Sequence, residues 1–248
     1  MKKRSALYPV VLSALAAMVL AACVDLGLGG TNDGANGGGG AGQGYDSLEL
    51  LSLPQAALIG IANSPDPEDP EAQEAALEMA ANANLAMVLA QLYVALAFAG
   101  WDPSLPAVYE SGGVTFSWFA DGDTVTWSYS YGSGGEAAVI VIEVTDNGAT
   151  WDVSVTVDGD TLLSGTVAEG GGSGSVRSYP VPANPDNSIL VVWGPAAAPY
   201  ELTFTVTRYA GGDTAVAELT VATTLDGAAG EWLYAAPPGS TPAGNDWP

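Results

Sequence analysis

From Val114 onward the sequence alternates between hydrophobic and polar residues with a period of two. Val125, Trp127 and Tyr129 fall on one side of such a stretch, and residues 151–158, 202–207 and 217–221 follow the same pattern. This alternation is typical of antiparallel strands with one buried and one solvent-exposed face. Pairs with turn chemistry separate the stretches: Asp121-Gly122, Asp158-Gly159, Gly211-Gly212 and Asp226-Gly227. We predict an antiparallel meander of about 9–10 strands over residues 107–236, followed by an irregular tail at 237–248.

Residues 45–100 lack this alternation and carry helix signals instead. Asp69 is a natural N-cap, Pro70 suits the first helical position, and Gly100 is typical of a helix end. These signals predict a long helix at about residues 69–99. Seven apolar residues fall at helical spacing on one face: Leu77, Ala81, Leu85, Val88, Leu92, Leu96 and Ala99.

The second half of this helix is apolar on all sides. Between residues 85 and 98 the only strongly polar residue is Gln91. Such a helix is either enclosed by protein or inserted in lipid. The run is shorter than the about 20 residues needed to span a bilayer, so we favour a core helix. We therefore predict the fold class α+β, with N-terminal helices (45–100) enclosed by the strongly curved meander in one domain.

The first residues of the chain form a secretory signal peptide, predicted at 1–22. Lys2, Lys3 and Arg4 precede an apolar run at residues 6–20. The sequence Leu20-Ala21-Ala22-Cys23 then resembles the lipobox of bacterial lipoproteins. The resemblance implies cleavage between Ala22 and Cys23, a diacylglycerol on the Cys23 thiol and an acyl chain on the new amino terminus. Cys23 is the only cysteine; the alternatives are a plain signal peptide with a chance cysteine, or a buried core cysteine.

The lipobox resemblance also implies where the protein resides. Each buried acyl CH₂ contributes about 0.8 kcal/mol, so three chains would anchor the protein to membrane lipid for practical purposes permanently. In lipoproteins of two-membrane bacteria, Asp after the cysteine favours the inner membrane; Val24 occupies that position here and implies the outer membrane. Residues 23–44 predict a lipidated flexible tether, whose glycine-rich part at residues 29–44 would span about 20 Å.

The charge of the chain restricts its partners. After cleavage the basic residues are Arg177 and Arg208, and the formal charge is −26, the difference between two basic and 28 acidic residues. Nucleic acids and anionic lipid surfaces require basic patches, so we expect no nucleic-acid partner. Because the acids are scattered, we interpret them as a solubilising surface suited to high salt rather than a diffuse store of divalent cations.

The residue types present exclude several kinds of catalysis. The chain has no histidine and one cysteine, so it cannot form a Ser-His-Asp triad, a Cys-His pair, a histidine-ligated zinc site or an internal disulfide. A carboxylate-only hydrolase would need two acids close together. Asp152 and Glu231 lie beside tryptophans, but no pattern brings them together. We interpret Asp121-Gly122-Asp123 and Asp158-Gly159-Asp160 as hairpin turns rather than calcium loops.

These observations predict a membrane-anchored, non-enzymatic lipoprotein of the bacterial cell envelope. We expect no catalytic residues, no metal and no cofactor beyond the lipid on Cys23. The predicted layout is similar to the half-barrel-and-helix fold of lipoprotein carriers and outer-membrane lipoprotein receptors. That resemblance implies binding of an apolar ligand or an envelope protein on the concave sheet. The alternatives are a structural surface lipoprotein without a ligand, and a carboxylate-dependent glycan hydrolase.

Overall fold

An antiparallel sheet of twelve strands organises the part of the chain that the structure describes. This computed structural model describes residues 58–62, 69–99, 108–111, 114–133, 136–168, 170–179 and 187–247, all within one compact unit. Every strand pairs with its neighbours in sequence, in the order β1 to β12. The strands are β1 (Val108–Ser111), β2 (Val114–Asp121), β3 (Thr124–Ser133), β4 (Glu136–Asp146), β5 (Thr150–Val157), β6 (Asp160–Ala168), β7 (Gly174–Ser178), β8 (Ser188–Pro195), β9 (Leu202–Ala210), β10 (Thr214–Thr223), β11 (Gly230–Ala235) and β12 (Ala243–Trp247).

The period-two pattern correctly predicts the buried side of the stretches around residues 125–129, 151–158, 202–207 and 217–221. Trp127, Val155 and Phe204 are completely buried, whereas their neighbours along the strand are not. Because successive strand side chains point to opposite faces, these residues build one apolar inner face. The other side, which we call the outer face, carries serine, threonine and acidic residues such as Ser154, Thr205 and Glu218.

The predicted turn pairs lie in the hairpins. Asp158 and Gly159 have φ angles of 53° and 85°, the left-handed conformation that a tight two-residue hairpin requires. In the turn after β10, the Asp226 carboxylate accepts hydrogen bonds from the Thr224 hydroxyl at 2.7 Å and the Ala228 amide at 3.0 Å. These two hydrogen bonds, of which the one from Thr224 has the larger effect, hold the pKa of Asp226 below its usual value of 3.8.

Two helices precede the sheet: α1 (Leu58–Ala62) and α2 (Pro70–Ala99). The predicted start of α2 is confirmed, because the Asp69 carboxylate accepts hydrogen bonds from the amides of Glu71 and Ala72, both at 3.0 Å. The helix contacts strands β3 to β12. No helix in the described ranges combines the length and apolarity needed to cross a membrane.

The apolar face that the sequence indicates for α2 is not the buried one over the described side chains; the side chains of Leu92, Leu96 and Ala99 lie outside them. Leu85 and Val88 are 51% and 47% exposed, and Ala81 is exposed as well. The buried face is built mainly from alanine and methionine: Ala72, Ala76, Met79, Ala80, Ala83, Ala86, Met87, Ala90 and Tyr93. The inner face of the sheet already supplies large tryptophan, phenylalanine and leucine side chains. Small helix residues opposite them keep the interface at the density of a protein interior.

The predicted fold class therefore needs correction. The α+β layout, with N-terminal helices enclosed by a strongly curved meander of about 9–10 strands, is not what the chain forms. The described chain is mostly one open antiparallel sheet of twelve strands, whose edge strands β1 and β12 do not pair with each other. Up to Tyr93, the last α2 residue whose side chain is described, one side of the helix is buried and the other carries the exposed Leu85 and Val88.

The predicted irregular tail is wrong for residues 243–247, which form strand β12 against β11. Trp247 is 6% exposed, and its indole nitrogen donates a hydrogen bond to the Gly227 carbonyl at 3.1 Å. The Trp247 ring packs against Gly60 of α1 and Gly230 of β11, so closely that a Cβ on either glycine would overlap the ring. A single aromatic side chain thus joins the last strand to the first described helix.

Candidate functional site

The two arginines outside the predicted signal peptide lie at the same end of the sheet. In an up-and-down meander, successive turns fall at alternate ends. The start of β8 and the hairpin joining β9 to β10 are therefore neighbours. Arg208 pairs with Ile189 in the β8–β9 register, and Arg177 of β7 reaches Ser188 at the start of β8. The register thus places both cations in one small region of a strongly acidic molecule.

Arg177 is held by several contacts on the outer face. Its Nε donates to the buried Ser188 hydroxyl at 2.9 Å, and its Nη2 pairs with Asp213 at 3.0 Å. Its guanidinium carbon lies 4.6 Å from the Tyr209 ring centroid and 5.6 Å from that of Tyr179, within cation–π range. Asp213 belongs to the hairpin between β9 and β10, so Arg177 braces three neighbouring strands and their turn.

A cavity of about 430 Å³ opens between α2 and this end of the sheet. Its volume lies within the roughly 300–1,000 Å³ range of small-molecule sites. The helix contributes one amide side chain, and strands β8 to β10 contribute the remaining wall. The residues that matter for its chemistry are Asn82, Asn187, Ile189, Arg208, Tyr209 and Val216. We call this the arginine pocket.

A β-bulge shapes the arginine pocket. The pairing of β9 with β10 shifts between Ala215 and Ala217, so Val216 is an extra residue opposite the partner strand. Such a bulge redirects a side chain and bends its strand locally. Val216 lines the cavity together with Arg208, whose register partner is Ala217. Unlike Arg177, Arg208 forms no hydrogen bond or ion pair with other residues in the described ranges.

The residues predicted to carry the anchor, Ala22 and Cys23, lie outside the described residues, as does the tether at 23–44. Of the carboxylates considered from the sequence, Asp152 is an exposed residue of β5 that accepts hydrogen bonds from Thr166 at 2.6 Å and Asn147 at 2.8 Å. Glu231 is exposed on β11, several strands away. The structure does not bring these two acids together.

The other sequence candidates also have structural roles. Asp121-Gly122-Asp123 and Asp158-Gly159-Asp160 are hairpin turns, and the described residues contain no cluster of three or more potential metal-ligating side chains. Trp127, Trp193 and Trp232 are buried in the inner face rather than arranged along an open groove. The Trp193 indole donates to the Gly171 carbonyl at 2.9 Å and fixes the loop after β6.

No pattern in the sequence predicts the arginine pocket. One signal was present, namely that Arg177 and Arg208 are the only basic residues left after the predicted cleavage. Their convergence depends on the register of β7 to β10 and on the bulge at Val216, neither of which leaves a local pattern. No protein-family model, curated protein or solved structure matches the chain. The site is therefore interpreted from its own chemistry: guanidinium and amide donors beside a short apolar wall.

Proposed function

We propose that the protein is a non-enzymatic lipoprotein of the bacterial cell envelope, anchored by lipid on Cys23, whose folded body binds a ligand. The observation that carries the anchor is the lipobox-like Leu20-Ala21-Ala22-Cys23, which places the only cysteine at the position that lipidation uses. The covalent diacylglycerol and acyl chain are the only prosthetic groups in this proposal. Membrane lipid is then the partner of the amino terminus.

A binding role for the body has support from the arginine pocket. A structural lipoprotein without a ligand would be expected to fill the space between helix and sheet. A cleft of about 430 Å³, half-open to solvent, lies between Asn82 of α2 and the strands that carry Ile189 and Arg208 and leaves room for a ligand at this edge. Apolar and polar groups share its wall, which suits a small ligand or a side chain of an envelope protein.

The hydrolase alternative has less support. Glycoside hydrolysis needs two carboxyl groups about 5–10 Å apart that flank the scissile bond in a cleft. Every aspartate and glutamate whose side-chain exposure the structure describes is half-buried or exposed. The lining of the arginine pocket includes none of them.

Val24 supports an outer-membrane location for the anchored protein, because aspartate at this position favours retention at the inner membrane in two-membrane bacteria. On this proposal residues 23–44 are a tether that separates the body from the lipid surface. An acidic body of this kind would be repelled by anionic headgroups, which favours display away from the membrane.

Intact mass spectrometry of the protein extracted from native membranes tests the anchor. The wild-type mass should equal that of a chain beginning at Cys23 plus a diacylglycerol and an acyl chain. The Cys23→Ser variant should lack this modification and keep its signal peptide. Val24→Ala is the matched control, because it changes the next residue and should remain acylated. A soluble, unacylated wild-type protein would refute the anchor.

A further inference from the structure

We infer that the arginine pocket binds a small molecule with one anionic head group, a carboxylate or a phosphate, on a short apolar body. This ligand class refines the proposed binding function and rests on it. It does not depend on the lipid anchor, because every residue involved belongs to the folded body.

The anionic part of the ligand follows from the donors that line the cavity. Arg208 carries a planar guanidinium with five N–H donors, a geometry that matches the two oxygens of a carboxylate or phosphate. None of these donors is used by other described residues. Asn82 on the helix and Asn187 before β8 add amide groups at the same cavity. A bound oxyanion would satisfy donors from three separate elements.

The two arginines have different roles at this site. Arg177 already contacts Ser188, Asp213 and the Tyr209 ring, so its charge is largely compensated within the protein. Its contacts hold Tyr209 and the start of β8 in place, and both belong to the cavity wall. Arg208 supplies the free charge, and Arg177 positions the wall around it.

The apolar part of the ligand follows from the aliphatic residues that flank Arg208 in the cavity wall. Ile189, Ala210 and Val216 provide aliphatic surface, and Val216 reaches the cavity because of the bulge in β10. A site that combines one charged group with such a wall favours an amphiphilic anion over an inorganic ion, because burying the aliphatic part adds hydrophobic free energy.

The acidity of the whole protein limits the size of the anion. Charges farther away than about 8 Å are largely screened at physiological ionic strength, and Arg208 is the one charged side chain in the described lining of the cavity. A polyanion would extend beyond this distance and meet the acidic surface. The pocket should therefore accept a small anion and reject nucleic acid.

Isothermal titration calorimetry with four six-carbon probes tests the ligand class. The probes are hexanoate, hexyl phosphate, hexan-1-ol and hexylamine, at pH 7 and constant ionic strength. The protein is the chain from residue 23 onward carrying Cys23→Ser, so that neither an acyl chain nor the apolar signal peptide competes for apolar probes. We expect both anions to bind at least about tenfold more tightly than the alcohol, the effect of one charge-assisted hydrogen bond. We expect the amine to bind more weakly than the alcohol.

Two variants assign the effect to Arg208. Arg208→Gln should weaken hexanoate binding at least about tenfold and leave hexan-1-ol binding unchanged within about twofold. Ala149→Asp lowers the net charge by the same amount in an exposed turn at the other end of the sheet. It should leave hexanoate affinity within about twofold, because several strand spacings separate it from the cavity.

Three results would overturn the inference: equal affinity for hexanoate and hexan-1-ol, unchanged hexanoate affinity in Arg208→Gln, or no binding of any probe. The comparison of anion and alcohol in the Cys23→Ser chain is decisive even if Arg208→Gln does not fold. Selective binding of hexan-1-ol would instead leave the proposed binding function intact with a purely apolar ligand. If the proposed lipid anchor is wrong, the intact mass of the wild type will show it, and these binding measurements will not change.

Discussion

Gly60→Ala should destabilise the wild-type protein but stabilise a variant in which leucine replaces Trp247. Gly60 lies in α1, where alanine is favoured over glycine by about 0.8–1 kcal/mol in a helix interior. In the wild type, however, the new Cβ would overlap the Trp247 ring, and the three nearest atoms all belong to that ring. Overpacking of this kind costs about 1–3 kcal/mol. The net expectation is a destabilisation of about 0–2 kcal/mol.

In a Trp247→Leu background the steric cost disappears and the helix preference remains. Gly60→Ala should then stabilise the protein by up to about 1 kcal/mol. The coupling free energy between the two positions should be about 1–3 kcal/mol in favour of the double variant. Trp247→Leu alone should cost less than the about 3–5 kcal/mol expected for replacement of a buried tryptophan by alanine.

Urea denaturation followed by circular dichroism measures the four free energies of unfolding in this cycle. Gly172→Ala is the control, because its Cβ would meet no atom within 4 Å and its φ is not in the left-handed region. That variant should be near neutral in both backgrounds. If Gly60→Ala destabilises the Trp247→Leu protein as much as the wild type, the packing of Trp247 on α1 is not the cause and the reasoning fails.

Three further changes probe other parts of the structure by the same denaturation assay. Arg177→Met should cost about 1–3 kcal/mol, because it leaves the buried Ser188 hydroxyl without its donor; a change below about 0.5 kcal/mol would contradict this role. The hydrogen bond from the Thr224 hydroxyl, and secondly that from the Ala228 amide, lower the pKa of Asp226 in the folded protein. The ionised Asp226 carboxylate therefore stabilises the folded protein above about pH 3.8, and this contribution is lost as the pH falls through the lowered pKa. The stability difference between wild type and Asp226→Asn should therefore shrink below pH 3.8, and a constant difference would exclude this linkage. Ala83→Leu should destabilise by about 1–3 kcal/mol because Ala83 is fully buried, whereas Ala81→Leu on the exposed side should be near neutral; the reverse order would contradict this assignment of the buried face.

Local signals in the sequence predict local structure well. The start of α2 follows from Asp69 and Pro70, because capping satisfies backbone donors within one turn. The buried side of the alternating strands follows from this pattern, because neighbouring side chains must point to opposite faces. The turn pairs follow from glycine and aspartate conformations. None of these features requires knowledge of distant residues.

Features that depend on distant residues were not predictable in the same way. The helix α2 has two apolar faces, one rich in leucine and one in alanine. The choice between them depends on the large side chains that the sheet presents, such as Trp232. Strand β12, with the sequence AGNDW, has no alternation and forms because β11 offers a free edge and Trp247 has a site to fill. The arginine pocket depends on register in the same way.

The position of Trp247 has a consequence for the order of events during biosynthesis. Hairpins of neighbouring strands can form as the chain leaves the ribosome, since each strand needs only the one before it. The contact between Gly60 and Trp247 joins nearly the first and the last described residues, so it forms only after residue 247 has left the ribosome. A chain truncated by a few carboxyl-terminal residues would lack this closing contact, and α1 would lose the ring against which Gly60 packs. Docking of Trp247 on α1 thus follows the formation of the earlier hairpins, and α1 gains this packing partner only at that late step.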